Sequence, residues 1–289
     1  GRNIDVKNFV SFNGGKAIIS RQNDSIVVAL QSLPLCKKFS VEVKPGIKSK
    51  HGVNSKVSWQ FSSRTSCYTT STYGTSLQGR PLIAYYFGNS GPLTLYTGGI
   101  HGNEPSSTGL MNAWIKELEA NPDRIKGKRV VIIPAINPDG IAANTRTNSR
   151  GVNLNRNFPT DDWVRNTNDT DGKHKNGGGK KPLSEPEAKA LASLVSSLRP
   201  RAMLSFHAVG SLVGGEPGTL TAERAGKYAS LVGYRDITYS DSSAFSYDVT
   251  GTYEGWTFDE AGVPVMLVEL GSYTYFSIDR HREALWSVL

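Results

Sequence analysis

The chain has 289 residues, of which 38% are hydrophobic and 20% charged; this suits one large globular domain or a domain with a small companion, and excludes disordered, collagen-like and disulfide-dense chains. Its longest apolar runs, such as 130–136, have strand length and fall well short of the roughly 20 residues that span a bilayer. The formal charge is +8 and unevenly placed: residues 1–70 hold 11 Lys and Arg against three Asp and Glu, whereas 71–289 hold 22 of each and sum to zero.

In chain order, residues 8–61 carry short β-like runs at 16–19, 25–30, 39–43 and 57–61, separated by Asn, Gly, Pro and Lys clusters with no helical period. This predicts a small, basic, mostly β segment over 1–70. Beyond it the pattern alternates. Runs 81–87, 93–97, 130–136, 202–206 and 263–270 are rich in Val, Ile, Leu and aromatics, as buried strands of a mixed sheet would be. Between them lie predicted helices. The first, 107–120, follows Pro105 and puts Leu110, Trp114 and Leu118 on one face. The second, 184–198, opens with Ser184 and Glu187 at capping-box spacing. Further helices are predicted at 221–231, 251–261 and 280–289. Strands alternating with helices over 71–289 imply an α/β domain whose strand-end loops carry the site. The run Gly177-Gly178-Gly179-Lys180-Lys181 is expected to be a mobile surface loop.

The first residue is Gly, as in a processed or recombinant chain, so a signal peptide would no longer be visible. Cys36 and Cys67 both fall in or beside the basic segment. They would staple it in an oxidising compartment, or stay as two buried thiols in a reducing one.

Two of the five histidines stand where metal chemistry would use them. In Gly98-Gly99-Ile100-His101-Gly102-Asn103-Glu104 an imidazole and a carboxylate lie three residues apart, between a strand and a helix, where a loop can turn both onto one ion. Ser205-Phe206-His207 ends a second strand. Two His and one Glu with an open fourth position form a catalytic zinc set, in which the metal acidifies water and polarises a carbonyl. A His three residues from a Glu is weak by itself, since either can be an ordinary loop residue. His51, His174 and His281 have no ligand-like neighbours and read as surface residues.

Further motifs follow: Gly79-Arg80-Pro81, then Asn137-Pro138-Asp139-Gly140, Arg146, Leu154-Asn155-Arg156-Asn157-Phe158, and Glu269 inside the last apolar run. As an ordered set over residues 73–289 they make the chain resemble the zinc carboxypeptidases of the carboxypeptidase A type. Within that family it is most similar to the small bacterial members that trim cell-wall peptides, the murein peptide amidases among them. The resemblance implies an α/β fold with a mixed eight-stranded sheet and helices on both faces, preceded here by the small, mostly β segment.

It further implies one zinc ion held by His101, Glu104 and His207, with Glu269 as the carboxylate that takes a proton from the attacking water and passes it to the leaving amine. Arg146 corresponds to the residue that stabilises the oxyanion, and Asn155 with Arg156 to the pair that grips the substrate's terminal carboxylate. Tyr247 corresponds to the mobile tyrosine that closes over substrate. Glu254, seven residues on, falls where the family sets selectivity, and an acid there would favour a cationic leaving residue: Lys, Arg or diaminopimelate. An interrupted apolar strand argues separately for Glu269, because a buried charge is costly without a functional partner. One position departs from the family. Asn153 stands where an Asp usually accepts a hydrogen bond from a ligand histidine, and an amide accepts that bond without adding charge.

The expected reaction is zinc-dependent hydrolysis of an amide beside a free-carboxylate residue, with a peptidoglycan stem peptide cut at diaminopimelate as the substrate. A general carboxypeptidase releasing C-terminal Lys or Arg, a deacylase of related fold and an inactive wall-binding protein are the alternatives. The expected protein is an extracytoplasmic monomer, secreted, periplasmic or cell-wall associated, with neither a transmembrane span nor a nucleic-acid partner. Residues 1–70 would anchor it to an anionic wall or act as a pro-segment.

Overall fold

A computed structural model describes residues 7, 9–23, 25–31, 33–48, 54–169, 172–238, 247 and 249–289. The chain divides into two compact units, Gly1–Tyr68 and Thr69–Leu289.

The first unit is built from short strands. β1 (Val10–Asn13), β4 (Lys38–Val43) and β5 (Trp59–Arg64) form an antiparallel sheet in the order β1-β4-β5, and β2 (Lys16–Gln22) pairs with β3 (Ser25–Gln31) as a hairpin. All four predicted strands are present, and β1 adds one that its short run did not announce. Cys36 and Cys67 form a disulfide. The staple suits a unit whose strands leave many side chains in water, such as Ile18, Val57, Trp59 and Phe61.

The second unit is organised by one eight-stranded sheet. Its strands are β6 (Tyr68–Thr75), β7 (Pro81–Phe87), β8 (Leu93–Thr97), β9 (Arg129–Ile133), β12 (Ala202–Ala208), β13 (Leu212–Gly215), β14 (Arg235–Asp236) and β15 (Val265–Leu270). They run in the order β14-β13-β15-β12-β8-β9-β7-β6. The centre, β15-β12-β8-β9, is parallel, while β13 runs antiparallel to β15 and β7 to β9. A two-stranded hairpin, β10 (Thr167–Asp169) with β11 (Gly172–His174), lies outside the sheet.

The helices are α1 (Pro105–Ala120), α2 (Pro138–Ala143), α3 (Pro186–Leu198), α4 (Leu220–Val232), α5 (Tyr253–Asp259) and α6 (Ile278–Ser287). Strand alternation decides which side each covers. Leu93, Leu95, Val131, Ile133, Met203 and Val265 cluster with Leu191 and Val195 of α3 and Trp256 of α5. The alternate residues Tyr96 and Phe206 meet Trp114 of α1 and Tyr228 of α4 on the opposite face, and Trp114 meets Trp286 of α6. Period-two side chains with helices on both faces produce this layered core. Among the described residues no helix is long and apolar enough to cross a membrane.

Three expectations need correction. His281 is no surface residue: it is 2% exposed, with Nδ1 2.8 Å from the Tyr228 hydroxyl, and burial pushes its pKa down to about 4. Apolar packing of α6 against α4 carries it inward. The Ser184–Glu187 spacing does not make a capping box. The helix starts at Pro186, Ser184 Oγ donates to Glu185, and Glu187 turns away to accept the Leu77 N–H at 3.0 Å. The run Gly177-Gly178-Gly179 is buried, not a surface loop. The Gly178 carbonyl accepts from Asn157 Nδ2 at 2.7 Å and Trp163 Nε1 at 3.2 Å, and a Cβ at Gly178 would strike the Val164 carbonyl. Its composition reflects close backbone packing against the 153–157 segment, which it braces. Of the remaining histidines, His174 is half-buried in β11, and His51 lies outside the described residues.

Candidate active site

The site forms at the carboxyl ends of the parallel strands, where side chains from separate loops converge as sheet neighbours run out. β8 leads into the loop bearing His101 and Glu104, β12 carries His207 one residue before its end, and β15 presents Glu269. In the parallel register His207 and Glu269 are direct partners, which sets a potential base beside a potential ligand.

The His101–Glu104 loop is held by backbone. Gly99 adopts φ +65°, and a Cβ on Gly102 would run into the Gly140 backbone. Gly140 opens α2, where its N–H is accepted by the Asn137 side chain at 2.9 Å, and Asn137 Nδ2 donates to the Ile100 carbonyl at 3.2 Å. Asp139 accepts from Ser76 Oγ at 2.7 Å, Arg80 Nη1 at 2.6 Å and Gln78 N at 3.0 Å. Against the burial that would raise it, these bonds hold the Asp139 carboxyl below its ordinary range. The Asn-Pro-Asp-Gly and Gly-Arg-Pro motifs therefore act as scaffold beneath the site.

His101, Glu104 and His207 are all buried, and one donor atom from each lies within 4.8 Å of the others. Glu104 Oε1 lies 2.8 Å from His101 Nδ1 and accepts from Arg146 Nη1 at 2.8 Å, while Oε2 accepts the Ala208 N–H at 3.0 Å and lies 3.7 Å from His207 Nδ1. The two Nδ1 atoms face each other at 3.3 Å. Both imidazoles are fastened from behind through Nε2, His101 to Asn153 Oδ1 at 3.2 Å and His207 to Glu254 Oε1 at 2.8 Å and Ser205 Oγ at 3.1 Å. Two inward lone pairs and a carboxylate with no donor between them constitute a cation site. Burial pushes His101 down to about 4. Against the same burial, the Glu254 and Glu104 carboxylates push His207 up, a measure of the negative charge gathered where the three groups converge. The donor set fits zinc.

Around this group, His101, Arg146, Asn155, Arg156, His207, Tyr247, Glu254 and Glu269 line one cavity of about 100 Å³. All of the expected site residues other than Glu104, which lies beneath it, thus face a common space. Arg156 is 2% exposed, with Nη1 on the Asn155 carbonyl at 2.7 Å, and its guanidinium carbon lies 5.8 Å from the Tyr247 ring. Asn155 Oδ1 accepts the Tyr253 N–H at 2.7 Å, tying the segment to the start of α5. Burial raises Tyr247 above its ordinary value. Burial also pushes the Glu269 carboxyl up to about 7, although His207 pulls the other way. Glu254 departs from the expected free acid at the pocket floor: its carboxylate is already engaged by His207 and by the Ser205 hydroxyl at 2.5 Å, and these hold its pKa low despite burial.

Two further members of the site, Ser205 and Asp169, carry no local signal in the sequence: Ser205 is one hydroxyl within a strand, and the Asn-Asp pair of the hairpin has the look of turn chemistry. The Asp169 carboxylate accepts from Asn153 Nδ2 and pairs with Arg156 Nη2 at 3.0 Å.

Residues 55–279 match the family described as zinc carboxypeptidase. Murein peptide amidase A of Vibrio campbellii is 30% identical over 234 residues, covering 76% of this chain and 87% of that protein. Among solved structures, murein-tripeptide amidase MpaA from Escherichia coli O157 superposes with a TM-score of 0.57 at 25% identity, over 75% of this chain and 88% of that one. Thrombin-activatable fibrinolysis inhibitor shares the fold, with a TM-score of 0.65 at 17% identity over 77% of this chain and 68% of that one.

Proposed function

The chain belongs to the zinc carboxypeptidase family, and from that premise we propose that it hydrolyses an amide bond of a peptidoglycan stem peptide at diaminopimelate, beside a free carboxylate. The observation that carries the reading is the convergence of His101, Glu104 and His207 on one point, with Glu269 beside His207 in register and Arg156 and Arg146 in the same cavity. Relatives named for murein peptides supply the substrate class.

In this reading His101, Glu104 and His207 would hold one zinc ion. When bound, it acidifies water and polarises the scissile carbonyl. Arg156, with Asn155, takes the substrate's carboxylate, a planar anion suited to a guanidinium fork. That contact orients the scissile bond towards Glu269. The Glu269 carboxylate accepts the proton of the attacking water and returns it to the leaving nitrogen. Arg146, whose Nη1 already lies beside Glu104, neutralises the charge that develops on the carbonyl oxygen. Tyr247, beside Arg156, excludes water once substrate is seated.

Glu254, engaged by His207, has less charge to offer a cationic leaving residue, whether Lys, Arg or diaminopimelate, so the choice of a murein peptide rests on the relatives. The first unit supports an extracytoplasmic, wall-associated protein: it carries the whole charge excess, a disulfide and exposed Trp59 and Phe61.

The deciding experiment incubates the protein with muramyl tripeptide and, separately, with a Lys-terminated peptide, reading products by mass. The expected result is cleavage of the muramyl substrate before diaminopimelate, abolished by a chelator and restored by zinc. Cleavage of the Lys-terminated peptide alone would replace this reading with a general carboxypeptidase, and no zinc-dependent cleavage of either would leave a binding protein.

A further inference from the structure

The hydrogen bond from His101 Nε2 to Asn153 Oδ1 requires that the Asn153 amide point one way, and an amide flips its oxygen and nitrogen at little cost unless its partners forbid it. Asp169 forbids it. Asn153 is completely buried, and its Nδ2 lies 3.1 and 3.0 Å from the two oxygens of the Asp169 carboxylate. On the other side, Asn153 Oδ1 also accepts the Asn155 N–H at 3.0 Å. A flipped amide would set oxygen against carboxylate and N–H against N–H, losing every one of these bonds. With Oδ1 held towards it, His101 must donate from Nε2, which leaves the Nδ1 lone pair turned to Glu104 and His207. The same carboxylate pairs with Arg156 Nη2 at 3.0 Å and stands 3.9 Å from Arg146 Nε, so it is itself fixed in place.

We propose that Asp169 is a positioning residue of the metal centre, locking the Asn153 amide so that His101 is held as the Nε2–H tautomer with Nδ1 presented to the ion, and placing a full negative charge one side chain behind a neutral amide. The inference rests on the zinc reading of the site. Asp169 touches neither metal nor substrate in this role. It acts through Asn153 on the imidazole and, through Arg156, keeps the carboxylate-binding guanidinium in register with the metal.

The test is a zinc affinity measurement, made without substrate by competition with a chromophoric chelator. It compares the unmodified protein with Asp169→Asn and with the exchange Asn153→Asp/Asp169→Asn. Asp169→Asn removes the carboxylate and should weaken zinc binding by about tenfold or more, the scale found for residues that orient ligand histidines. In the exchange variant the carboxylate introduced at position 153 accepts the His101 and Asn155 N–H groups directly, and the amide at 169 donates back to it. Zinc affinity should then return to within about threefold of the unmodified protein, a non-additivity expected only of coupled neighbours. Unchanged affinity in Asp169→Asn overturns the proposal, as does an exchange variant no tighter than the single one. If Asp169→Asn fails to fold, the exchange variant decides: it must fold and bind zinc, and its failure overturns the proposal equally. An unmodified protein that takes up no zinc would instead bring down the metal reading itself, and the inference with it.

Discussion

Glu269 is a carboxyl that burial pushes up to about 7, set in register beside His207. A general base must be ionised to act, so activity should fall as pH drops through its acidic limb. A bound dication favours the carboxylate, which places that limb at or below about 7. Glu269→Gln keeps the shape and removes the base: kcat should fall by about a hundredfold or more while substrate binding persists, and the acidic limb should vanish. Near-normal turnover in a steady-state assay of this variant would refute the assignment. This residue was legible in the sequence because a charge inside an apolar run is conspicuous. The engagement of Glu254 was not legible, because position 254 and His207 are brought together by α5 lying against the sheet, a contact no local spacing encodes.

At the level of elements, the loop between β8 and α1 carries two of the three candidate metal-binding groups and rests on the start of α2. The backbones of Gly102 and Gly140 touch, so there is no room between them for a side chain. Gly102→Ala must push the loop off α2, and zinc affinity should fall by about tenfold or more together with the melting temperature. Equal zinc affinity in the variant would show that the contact is slack. The pattern of strands and helices foretold most elements, since five apolar runs mark sheet strands and the first helix declares its face through Leu110, Trp114 and Leu118, all buried. Short or irregular pieces were lost. β13, β14 and the β10–β11 hairpin have too few residues for a period to appear, and α2 hides behind its Pro-Asp-Gly start. The buried glycine run at 177–179 was misjudged because glycine signals a turn and close packing alike.

For the whole molecule, the charge that first suggested a basic protein belongs to one unit. The Thr69–Leu289 unit is formally neutral, with its arginines turned to local work at Glu104, Asp169 and Glu185. If the first unit is an anchor, the full chain should sediment with an anionic wall polymer at low salt and be released as salt rises past the point where the Debye length drops below about 10 Å. Sedimentation that ignores salt would rule out a charge-based anchor. By itself the sequence determined the α/β layering and the place of the basic segment, because hydrophobic period and charge are local and survive in one dimension, and its ordered motifs pointed, through the family resemblance, to His101, Glu104, His207 and Glu269 as the candidate metal-binding groups and base. Only the tertiary structure decided that Cys36 meets Cys67, that His281 is interior, that Glu254 braces His207, and that Asp169 stands behind Asn153. Those are contacts between segments far apart in the chain, and they exist because sheet register and helix packing bring them together.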